Sequence, residues 1–484
     1  MKEIVIDPIT RLEGHGKISI FLNDAGEVEN TYLQIPELRG FERFCIGRRA
    51  EDMPQLTSRI CGVCPVAHHM AGAKTLDAAF NVEPPEAAKK LRELMYCGYF
   101  IYDHILHFYY LGGPDFIVGP DAPPAKRNIL GVIEKVGLDI ANEVLKHRAY
   151  GQRIIEIIGG KATHPVSCLP GGISNALTEE NRQEIEKMAS SSVNFAEFSL
   201  KLFHDIVLGN SDYVDLIKSD AYAIKTYYMG LVDDDNKVNF YDGNIQVVDP
   251  NGNNFLKFAS RDYLSHIAEH VEEWTYVKLP YLKKVGWKGF VDGTKSGIFR
   301  VGPLGRLNAA DGMATPLAQS EYELMYKTLG GKPIHATLAF HWARLIELLF
   351  AAERTLELSK DSEITSTKVR NKPGEPTEGV GVVEAARGTL IHHYKLDEDA
   401  LVKDVNLIVA TVNNTPAINI SIRNAAKDLI HGGKVDQGIL NMVEMAIRAY
   451  DPCFGCATHF AIGQMPLTLE IYNSDRKQVK TVQR

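Results

Sequence analysis

Apolar and polar residues alternate in short runs over the first part of the chain. Ile4 and Ile6 form the first run, residues 18–22 the second and residues 28–33 the third. Because successive side chains of a strand point to opposite faces, this period of two indicates β-strands. Residues 23–26, Asn-Asp-Ala-Gly, are typical of a turn. The pattern predicts a small N-terminal antiparallel sheet.

From residue 40 onward the apolar spacing becomes helical, with apolar residues three and four positions apart. The segments that predict helices are 64–80, 84–111, 126–158, 178–208, 316–329, 334–358 and 435–449. Residues 379–396 and 402–411 predict strands, 302–306 predicts a Gly- and Pro-containing loop, and the polar stretch 231–258 predicts a peripheral β-like excursion. We expect a mainly α (α+β) fold, a large helical bundle core with small peripheral β-sheets.

Composition narrows the class of protein. The chain has 484 residues, of which 45% are hydrophobic, and a formal net charge of −8. This length allows two or three domains, but no repeat or low-complexity linker divides the chain, so we expect one large domain. An acidic balance gives no reason to expect nucleic acid or an anionic membrane as a partner.

Several features of the sequence favour a cytoplasmic location. Seven cysteines, an odd number in a long chain, suit a reducing compartment better than a disulfide framework. Residues 1–8 lack the basic and then apolar build of a signal peptide. The most apolar helical segment, 338–352, is interrupted by His341, Arg344 and Glu347, so it does not predict a membrane span.

Two Cys-x-x-Cys pairs stand near opposite ends of the chain, Cys61 with Cys64 and Cys453 with Cys456. Together they offer four thiolates to one metal centre. A structural zinc site, an iron–sulfur cluster and two separate redox pairs are all compatible with this pattern. Zinc modules usually close locally, however, whereas most of the protein separates these pairs.

Specific phrases around the cysteines resemble a known family. They are RICGVCPVAH at 59–68, DPCFGCATH at 451–459, RLEGH at 11–15, RGFE at 39–42, DH at 103–104 and EAARG at 384–388. The chain thereby resembles the large, catalytic subunit of nickel-iron hydrogenases. The resemblance implies the same fold as that subunit, together with reversible heterolytic cleavage of H2 into protons and electrons.

The resemblance also assigns roles to the cysteines. Cys61 and Cys453 would be terminal ligands of nickel, and Cys64 and Cys456 would bridge nickel to an iron that carries carbon monoxide and cyanide. The residues alone predict only four soft sulfur donors on a metal. Thr411 and the region of Arg387 would hold the cyanide ligands.

Cleavage of H2 needs a Lewis-acidic metal for the hydride and a base for the proton. By the resemblance, Cys453 takes the proton and Glu13 relays it. Arg387 would lie over the open face of the metals, oriented by Asp103 and Asp451, or would itself act as the base. Plain structural interpretations compete with these: a loop-capping carboxylate for Glu13, and a salt-bridge network for the arginine.

His68 follows Cys64 by one helical turn and would donate a hydrogen bond to the bridging sulfur. Ala386 stands where the family usually has proline, a difference that would loosen the backbone before Arg387. The remaining candidates are expected to be satisfied core or surface histidines and small buried cysteines: His69, His104, His107, His392, His393, Cys45, Cys97 and Cys168.

A second cation site is implied near the C-terminus. Glu42, the backbone carbonyl of Leu407 and His459 match ligands of magnesium, or iron, in the family. A maturation endopeptidase would cut directly after His459. The expected domains are therefore residues 1–459 as a single catalytic domain and residues 460–484 as an extension removed on maturation.

Electrons need a route out of the chain. Residues 379–384 lack the third glycine of a dinucleotide fingerprint, and the sequence contains no P-loop. The resemblance implies transfer to iron–sulfur clusters of a partner small subunit, then onward to a cytosolic diaphorase, heterodisulfide reductase, F420 or electron-bifurcating module. Two other hypotheses stay open: a non-catalytic relative of the complex I quinone-site subunit, which lacks the four cysteines, and a zinc-stabilised protein.

Overall fold

The computed structural model describes residues 2–459, 468–475 and 477–483. Its strands are β1 (Lys2–Ile6), β2 (Lys17–Leu22), β3 (Val28–Gln34), β4 (Cys168–Leu169), β5 (Gly172–Ile173), β6 (Tyr227–Val232), β7 (Asn244–Val248), β8 (Asn254–Phe258), β9 (Ile267–His270), β10 (Leu279–Leu282), β11 (Phe299–Arg300), β12 (Glu378–Ala385), β13 (Gly388–Leu396), β14 (Val402–Ile408), β15 (Thr468–Tyr472) and β16 (Gln478–Gln483).

The α-helices of the same residues are α1 (Phe41–Phe44), α2 (Met53–Ser58), α3 (Pro65–Ala79), α4 (Glu86–Leu106), α5 (Pro114–Ile117), α6 (Ile129–Val136), α7 (Leu138–Gly159), α8 (Glu179–Phe203), α9 (Ser211–Lys218), α10 (Tyr263–His266), α11 (Gly302–Ala309), α12 (Pro316–Leu329), α13 (Phe340–Ser359), α14 (Ala410–Leu429), α15 (Gln437–Arg448) and α16 (Phe454–Ala457). The prediction of a mainly helical fold with small sheets is confirmed.

The N-terminal sheet has the predicted antiparallel order β1-β2-β3. Ile20 pairs with Ile4 in this sheet, and Ile18 pairs with Leu33. The Asn23 side chain accepts hydrogen bonds from two backbone N–H groups of the turn that joins β2 to β3. Ile18, Ile20 and Leu22 of β2 are fully buried in the core, so the sheet anchors the loop between β1 and β2, which carries Glu13 toward the interior.

Four long helices form the centre of the molecule, where α4 packs against α7 and α13, and α13 also packs against α8. Helix α13 is buried around its whole circumference over residues 340–352, including the polar residues His341, Arg344 and Glu347. A helix without a solvent-exposed face belongs in the middle of a bundle. The Thr178 side chain caps α8, and Gly160 ends α7 in the left-handed conformation.

Two local predictions are wrong, each for a backbone reason, and a third is confirmed over most of its length but extends too far. The segment 126–158 is two helices, because Gly137 adopts φ 89° between α6 and α7. The expected loop 302–306 is helix α11, which begins at Gly302 with proline in its first turn, a position that suits the fixed φ of proline. The strand expected over 402–411 ends at Ile408, and the next element is α14, which tolerates an internal proline.

The interpretation of residues 231–258 as peripheral is also wrong in part. Residues 245–248 of β7 are buried, and β7 lies inside the sheet β11-β6-β7-β8, between β6 and β8. The sheet β12-β13-β14 packs on α3 and places Arg387 in the two-residue loop of a hairpin. Among the described residues, no helix is both long and apolar enough to cross a membrane.

Candidate metal centre

The four motif cysteines meet in the interior. Their sulfur atoms all lie within 4.8 Å of one another, and all four residues are buried. Cys61 Sγ is 3.4 Å from Cys453 Sγ, Cys64 Sγ is 3.3 Å from Cys456 Sγ, and 2.9 Å separates the sulfurs of Cys453 and Cys456. Each N-terminal cysteine is therefore in close contact with one C-terminal cysteine.

Local structure explains how each pair presents its sulfurs. Cys64 stands directly before α3, which begins at Pro65, whereas Cys453 stands directly before the single turn α16. Arg39 ties the two motifs together, because its guanidinium donates to the carbonyl of Ile60 at 2.6 Å and to the carbonyl of Gly455. Arg39 belongs to the RGFE motif, but nothing in the sequence alone indicates this role.

Glu13 reaches the cluster from the N-terminal loop. Its Oε2 lies 2.8 Å from Cys453 Sγ and accepts a hydrogen bond from the Gly455 N–H at 2.9 Å. A backbone bridge between Glu13 and Cys453 fixes this register. A β-carbon on Gly455 would lie 2.6 Å from Glu13 Oε1, so the glycine makes room for the carboxylate. Glu13 is half-buried, so it links the buried thiol to the outer layer.

Arg387 lies fully inside the protein between two aspartates. Its Nη1 is 3.0 Å from Asp103 Oδ2, and its Nη2 is 3.0 Å from Asp451 Oδ2. The second contact is within ion-pair distance but is not aligned as a hydrogen bond, and Arg387 Nε and Asp103 Oδ1 also lack hydrogen-bond partners among the described residues. Burial alone would lower the pKa of Arg387, but the two aspartates raise it well above its ordinary value.

The hairpin loop compensates for the missing proline at position 386. The Ala386 backbone N–H donates to the Tyr99 hydroxyl at 3.0 Å, a bond that proline cannot make. Gly388 closes the loop at φ 136°, and a β-carbon there would approach Val301 Cγ2 to 2.1 Å. The loop before Arg387 is thus anchored by a hydrogen bond instead of by a proline ring.

The donor set fits a thiophilic metal. The N–H groups of Val63 and Cys64 donate to Cys61 Sγ at 3.2 and 3.1 Å. Burial raises the pKa of Cys61, but hydrogen bonds from the neighbouring cysteines outweigh it and lower this pKa well below its ordinary value. Burial raises the pKa of Cys453 and Cys456 well above theirs. Full deprotonation of the cluster therefore calls for a bound cation.

His68 and Thr411 lie beside the cysteines. His68 Nδ1 is 3.2 Å from His392 Nε2, and its buried Nε2 has no hydrogen-bond partner among the described residues. Burial lowers the pKa of His68 to about 4, while Cys61 acts in the opposite direction. The Thr411 hydroxyl accepts the Cys453 backbone N–H at 3.0 Å, so this threonine holds the backbone of the cysteine motif.

The residues expected to bind a harder cation also converge. Glu42 Oε1 accepts the Leu407 N–H at 3.0 Å, and His459 Nε2 lies 2.6 Å from the Leu407 carbonyl. The Lys278 ammonium is 3.3 Å from Glu42 Oε2 and 3.6 Å from Glu269. Carboxylate and carbonyl oxygens suit magnesium, whereas the imidazole nitrogen of His459 suits iron better. Lys278, which no sequence motif marks, already balances part of the negative charge.

The other expected histidines and cysteines are buried core residues, although Nδ1 of His104 and Nδ1 of His107 lack hydrogen-bond partners among the described residues. The thiols outside the cluster are buried, and burial raises the pKa of each; the cysteines are Cys45, Cys97 and Cys168. Each of the five histidines hydrogen-bonds through a ring nitrogen: His69, His104, His107, His392 and His393.

Comparison with known proteins agrees with this geometry. The profile of the family described as nickel-dependent hydrogenase matches residues 39–127 and 141–459, and one described as HoxL-like matches residues 3–38. An iron-sulfur subunit of the F420-non-reducing hydrogenase of Archaeoglobus profundus is 49% identical over 484 residues, which cover 100% of this chain and 99% of that protein.

More distant proteins show the same relationship. The beta subunit of the NAD-reducing hydrogenase HoxS of Cupriavidus necator is 39% identical over 491 residues, and the match covers 98% of both chains. The crystal structure of an NAD+-reducing NiFe hydrogenase in the H2-reduced state superposes with a TM-score of 0.89 at 37% identity, covering 95% of this chain and 100% of that one.

Proposed function

The chain belongs to the nickel-dependent hydrogenase family, in which it is a large, catalytic subunit that cleaves H2, and we propose that its four clustered cysteines hold the nickel and iron of that reaction. Cys61 and Cys453 would be the terminal nickel ligands, and Cys64 and Cys456 the bridging ones. The observation that carries this assignment is the convergence of four buried sulfurs within 4.8 Å from opposite ends of the chain. A set of four cysteines alone also suits zinc, and the family membership favours nickel.

When bound, a nickel-iron pair with carbon monoxide and cyanide ligands supplies the Lewis acidity and the redox chemistry that splitting H2 requires. The side chains of the protein take up the proton and carry it away. Cys453 Sγ holds it, and Glu13 Oε2, 2.8 Å away, accepts it and carries it toward the outer layer. The N–H of Gly455 keeps the carboxylate in place through this transfer.

Arg387 would provide a fixed positive charge beside the centre. With Asp103 and Asp451 at 3.0 Å, its guanidinium keeps its proton, because these carboxylates raise its pKa well above the ordinary value. A base must give up that proton before it can accept another. This supports Glu13 with Cys453 as the proton route, and Arg387 as a fixed cation that favours negative charge beside it.

A second cation would bind at Glu42, the Leu407 carbonyl and His459, with magnesium as our first choice. Residues 1–459 form the catalytic domain in this proposal, and residues 460–484 are an extension removed after His459 by a maturation endopeptidase. His459 is buried at the end of the described catalytic part, so its ring and the new terminus would close that site. Residues 460–467 lie outside the described residues.

Relatives named as subunits imply that the chain works in an assembly with other subunits. We propose that the direct electron acceptor is an iron–sulfur small subunit. Beyond it, a diaphorase module is favoured by the relative named an NAD-reducing hydrogenase, and the relative named an F420-non-reducing hydrogenase speaks against an F420 module. A heterodisulfide reductase, F420 or electron-bifurcating module is the alternative. Such acceptors are cytosolic, so we propose a cytoplasmic location.

Metal analysis of the purified assembly tests the proposal directly. We expect nickel and iron in each large subunit, together with infrared bands of carbon monoxide and cyanide, and loss of both metals in Cys61→Ser and Cys456→Ser. Cys97→Ser is the matched control, because this buried cysteine lies outside the cluster. Zinc in the cluster, with no such bands, would refute the assignment.

The proton route has a separate test. Glu13→Gln keeps the shape of the side chain but removes the proton acceptor, so H2 oxidation should fall by about 10²-fold or more while metal content and infrared bands persist. Glu37→Gln, which changes an exposed carboxylate of the same N-terminal region, should retain the activity. Wild-type turnover in Glu13→Gln would exclude Glu13 as the relay.

A further inference from the structure

A chain of three buried side chains leads from the cysteine cluster into the protein core. His68 Nδ1 lies 3.2 Å from His392 Nε2, and His392 Nδ1 lies 2.6 Å from the Tyr394 hydroxyl. All three residues are essentially inaccessible to solvent. His68 Nε2, the ring nitrogen that does not contact His392, is buried and has no hydrogen-bond partner among the described residues.

The three side chains can be hydrogen-bonded in only two ways while both rings are neutral. If the Tyr394 hydroxyl donates to His392 Nδ1, then His392 Nε2–H donates to His68 Nδ1, and His68 carries its proton on Nε2. If every bond is reversed, His68 Nδ1–H donates to His392, and His68 presents a bare lone pair at Nε2. The tautomer of His68 is thus coupled to the orientation of the Tyr394 hydroxyl, with which it has no direct contact.

The sulfur cluster discriminates between the two arrangements. Cys61 lies close enough to His68 for its thiolate to raise the pKa of the ring against the effect of burial. Four thiolates around a metal are electron-rich acceptors, so an N–H directed at them is favourable and a lone pair is repelled. Burial holds the pKa of His392 well below its ordinary value and that of Tyr394 well above, so the rings stay neutral and the phenol keeps its proton.

We propose that His392 and Tyr394 are positioning residues that hold His68 as its Nε2–H tautomer, with this N–H directed at the sulfurs of the cluster. The inference rests on the proposed function, in which those sulfurs bind nickel and iron. A donated N–H withdraws electron density from a thiolate. Tyr394 would therefore tune the metals through two histidines, although it touches neither a metal nor a cysteine ligand in this arrangement.

The next residue of the same strand offers a matched control. His393 Nδ1 also hydrogen-bonds a buried tyrosine, Tyr263, at 2.9 Å, and its Nε2 lies 2.6 Å from Glu378 Oε1. Neighbouring residues of a strand point to opposite faces, so this tyrosine–histidine pair leads away from the His68 side. Tyr263→Phe removes the same chemical group from the same kind of pair.

Infrared spectroscopy of the metal-loaded assembly tests the proposal, because carbon monoxide and cyanide stretches report electron density at the iron. Tyr394→Phe removes the donor that sets the direction of the hydrogen bonds. We expect its carbon monoxide band to shift to lower frequency than in wild type, in the direction given by His68→Gln, whereas Tyr263→Phe should keep the wild-type bands. The double variant His68→Gln/Tyr394→Phe should match His68→Gln alone.

Each other result has a defined meaning. Wild-type bands in Tyr394→Phe, or a Tyr394→Phe shift that persists in the His68→Gln background, would overturn the proposal. If Tyr394→Phe does not load metals, His392→Asn interrupts the hydrogen bonds at their middle and should give the same shift. If Tyr394→Phe and His392→Asn both failed to load metals while Tyr263→Phe loaded them normally, the proposal would also be overturned, because Tyr394 and His392 would then be needed for the structure of the site. Absence of the bands from wild type would instead refute the proposed function.

Discussion

Two buried arginines, each between two carboxylates, differ in how completely they are hydrogen-bonded. Arg306 donates to both oxygens of Glu347 at 2.6 Å and to Glu384 Oε2 at 2.7 Å, and it also donates to the Ala385 carbonyl. Each of its donors and each carboxylate oxygen around it has a partner. Arg387, in the adjacent hairpin loop, has one aligned hydrogen bond and one ion pair, to Asp103 and Asp451.

The difference in hydrogen bonding distinguishes an arginine that stabilises the fold, Arg306, from one that serves the metal site, Arg387. A fully satisfied buried network rigidifies a core, whereas several buried polar atoms left without partners in one place call for an explanation, such as a bound group that completes the site. Around Arg387 the atoms without a hydrogen-bond partner among the described residues are its own Nε, one oxygen of Asp103 and one of Asp451. Arg306 holds the hairpin through the Ala385 carbonyl, and Arg387 is the group that the hairpin presents.

The largest effect on stability should come from breaking the satisfied network. Arg306→Met preserves approximate volume but leaves Glu347 and Glu384 buried without their cation, so we expect a loss of about 3–5 kcal/mol in the free energy of unfolding. Guanidinium unfolding of the metal-free chain, followed by circular dichroism, measures it. A loss below about 1 kcal/mol would show that the network around Arg306 does not stabilise the fold, and the contrast with Arg387 would fail.

The second arginine should affect turnover more than folding. Arg387→Lys keeps the charge but cannot span Asp103 and Asp451 at once, because lysine lacks the planar fork. Misplacement of a group beside the reacting atoms by about 1 Å can cost about 10²-fold in rate, and we expect a loss of that order in H2 oxidation with nickel content unchanged. Wild-type turnover, or destabilisation as large as in Arg306→Met, would contradict the distinction.

Much of the metal centre could be predicted from the sequence because its residues stand in short sequence motifs. The four cysteines, Glu13 and Arg387 all stand in phrases that the family shares, and the structure brings the cysteines and Glu13 into contact. Local patterns failed where an element depends on the interior: α14 continues through Pro416 while buried over most of its length. The apolar pattern predicts no helix over this segment. A proline inside a helix removes a backbone hydrogen bond, and tertiary packing keeps α14 intact.

The supporting contacts could not be predicted, because their partners are far apart in sequence. Tyr99 and Ala386 are 287 residues apart, and Arg306 and Glu347 are 41 apart on different helices. Neither pair has a sequence spacing that marks it as a contact. Nothing in the sequence distinguishes an arginine that will be buried from one that will lie on the surface. The sequence showed only that Arg306 lies in a Gly- and Pro-containing segment, which the structure shows to be helix α11.

The loop between the two arginines offers a finer test. Ala386→Pro restores the residue usual in the family but removes the N–H that donates to Tyr99, so Tyr99 loses a hydrogen bond of about 1 kcal/mol. Tyr99→Phe should therefore destabilise the wild-type protein by about that amount. In the Ala386→Pro background, the same Tyr99→Phe change should destabilise the protein by much less. A double-mutant cycle from guanidinium unfolding measures the coupling. Equal costs of Tyr99→Phe in both backgrounds would show that the bond contributes nothing.

The smallest effect is expected at the surface, where a third arginine also lies between two carboxylates. Arg354 Nε is 2.7 Å from Glu93 Oε1, its Nη1 is 2.8 Å from Glu357 Oε2, and its side chain is 29% exposed. Water and salt screen such pairs, so Arg354→Met should cost only about 0–1 kcal/mol, and less still at high ionic strength. Urea unfolding with and without added salt measures this cost, because urea, unlike guanidinium, adds no ions. Arg306 and Arg354 have the same number of acidic partners. If Arg354→Met lowered the free energy of unfolding as much as Arg306→Met does, the number of partners would decide what such an arginine contributes. Burial with full hydrogen bonding would then not be the deciding factor.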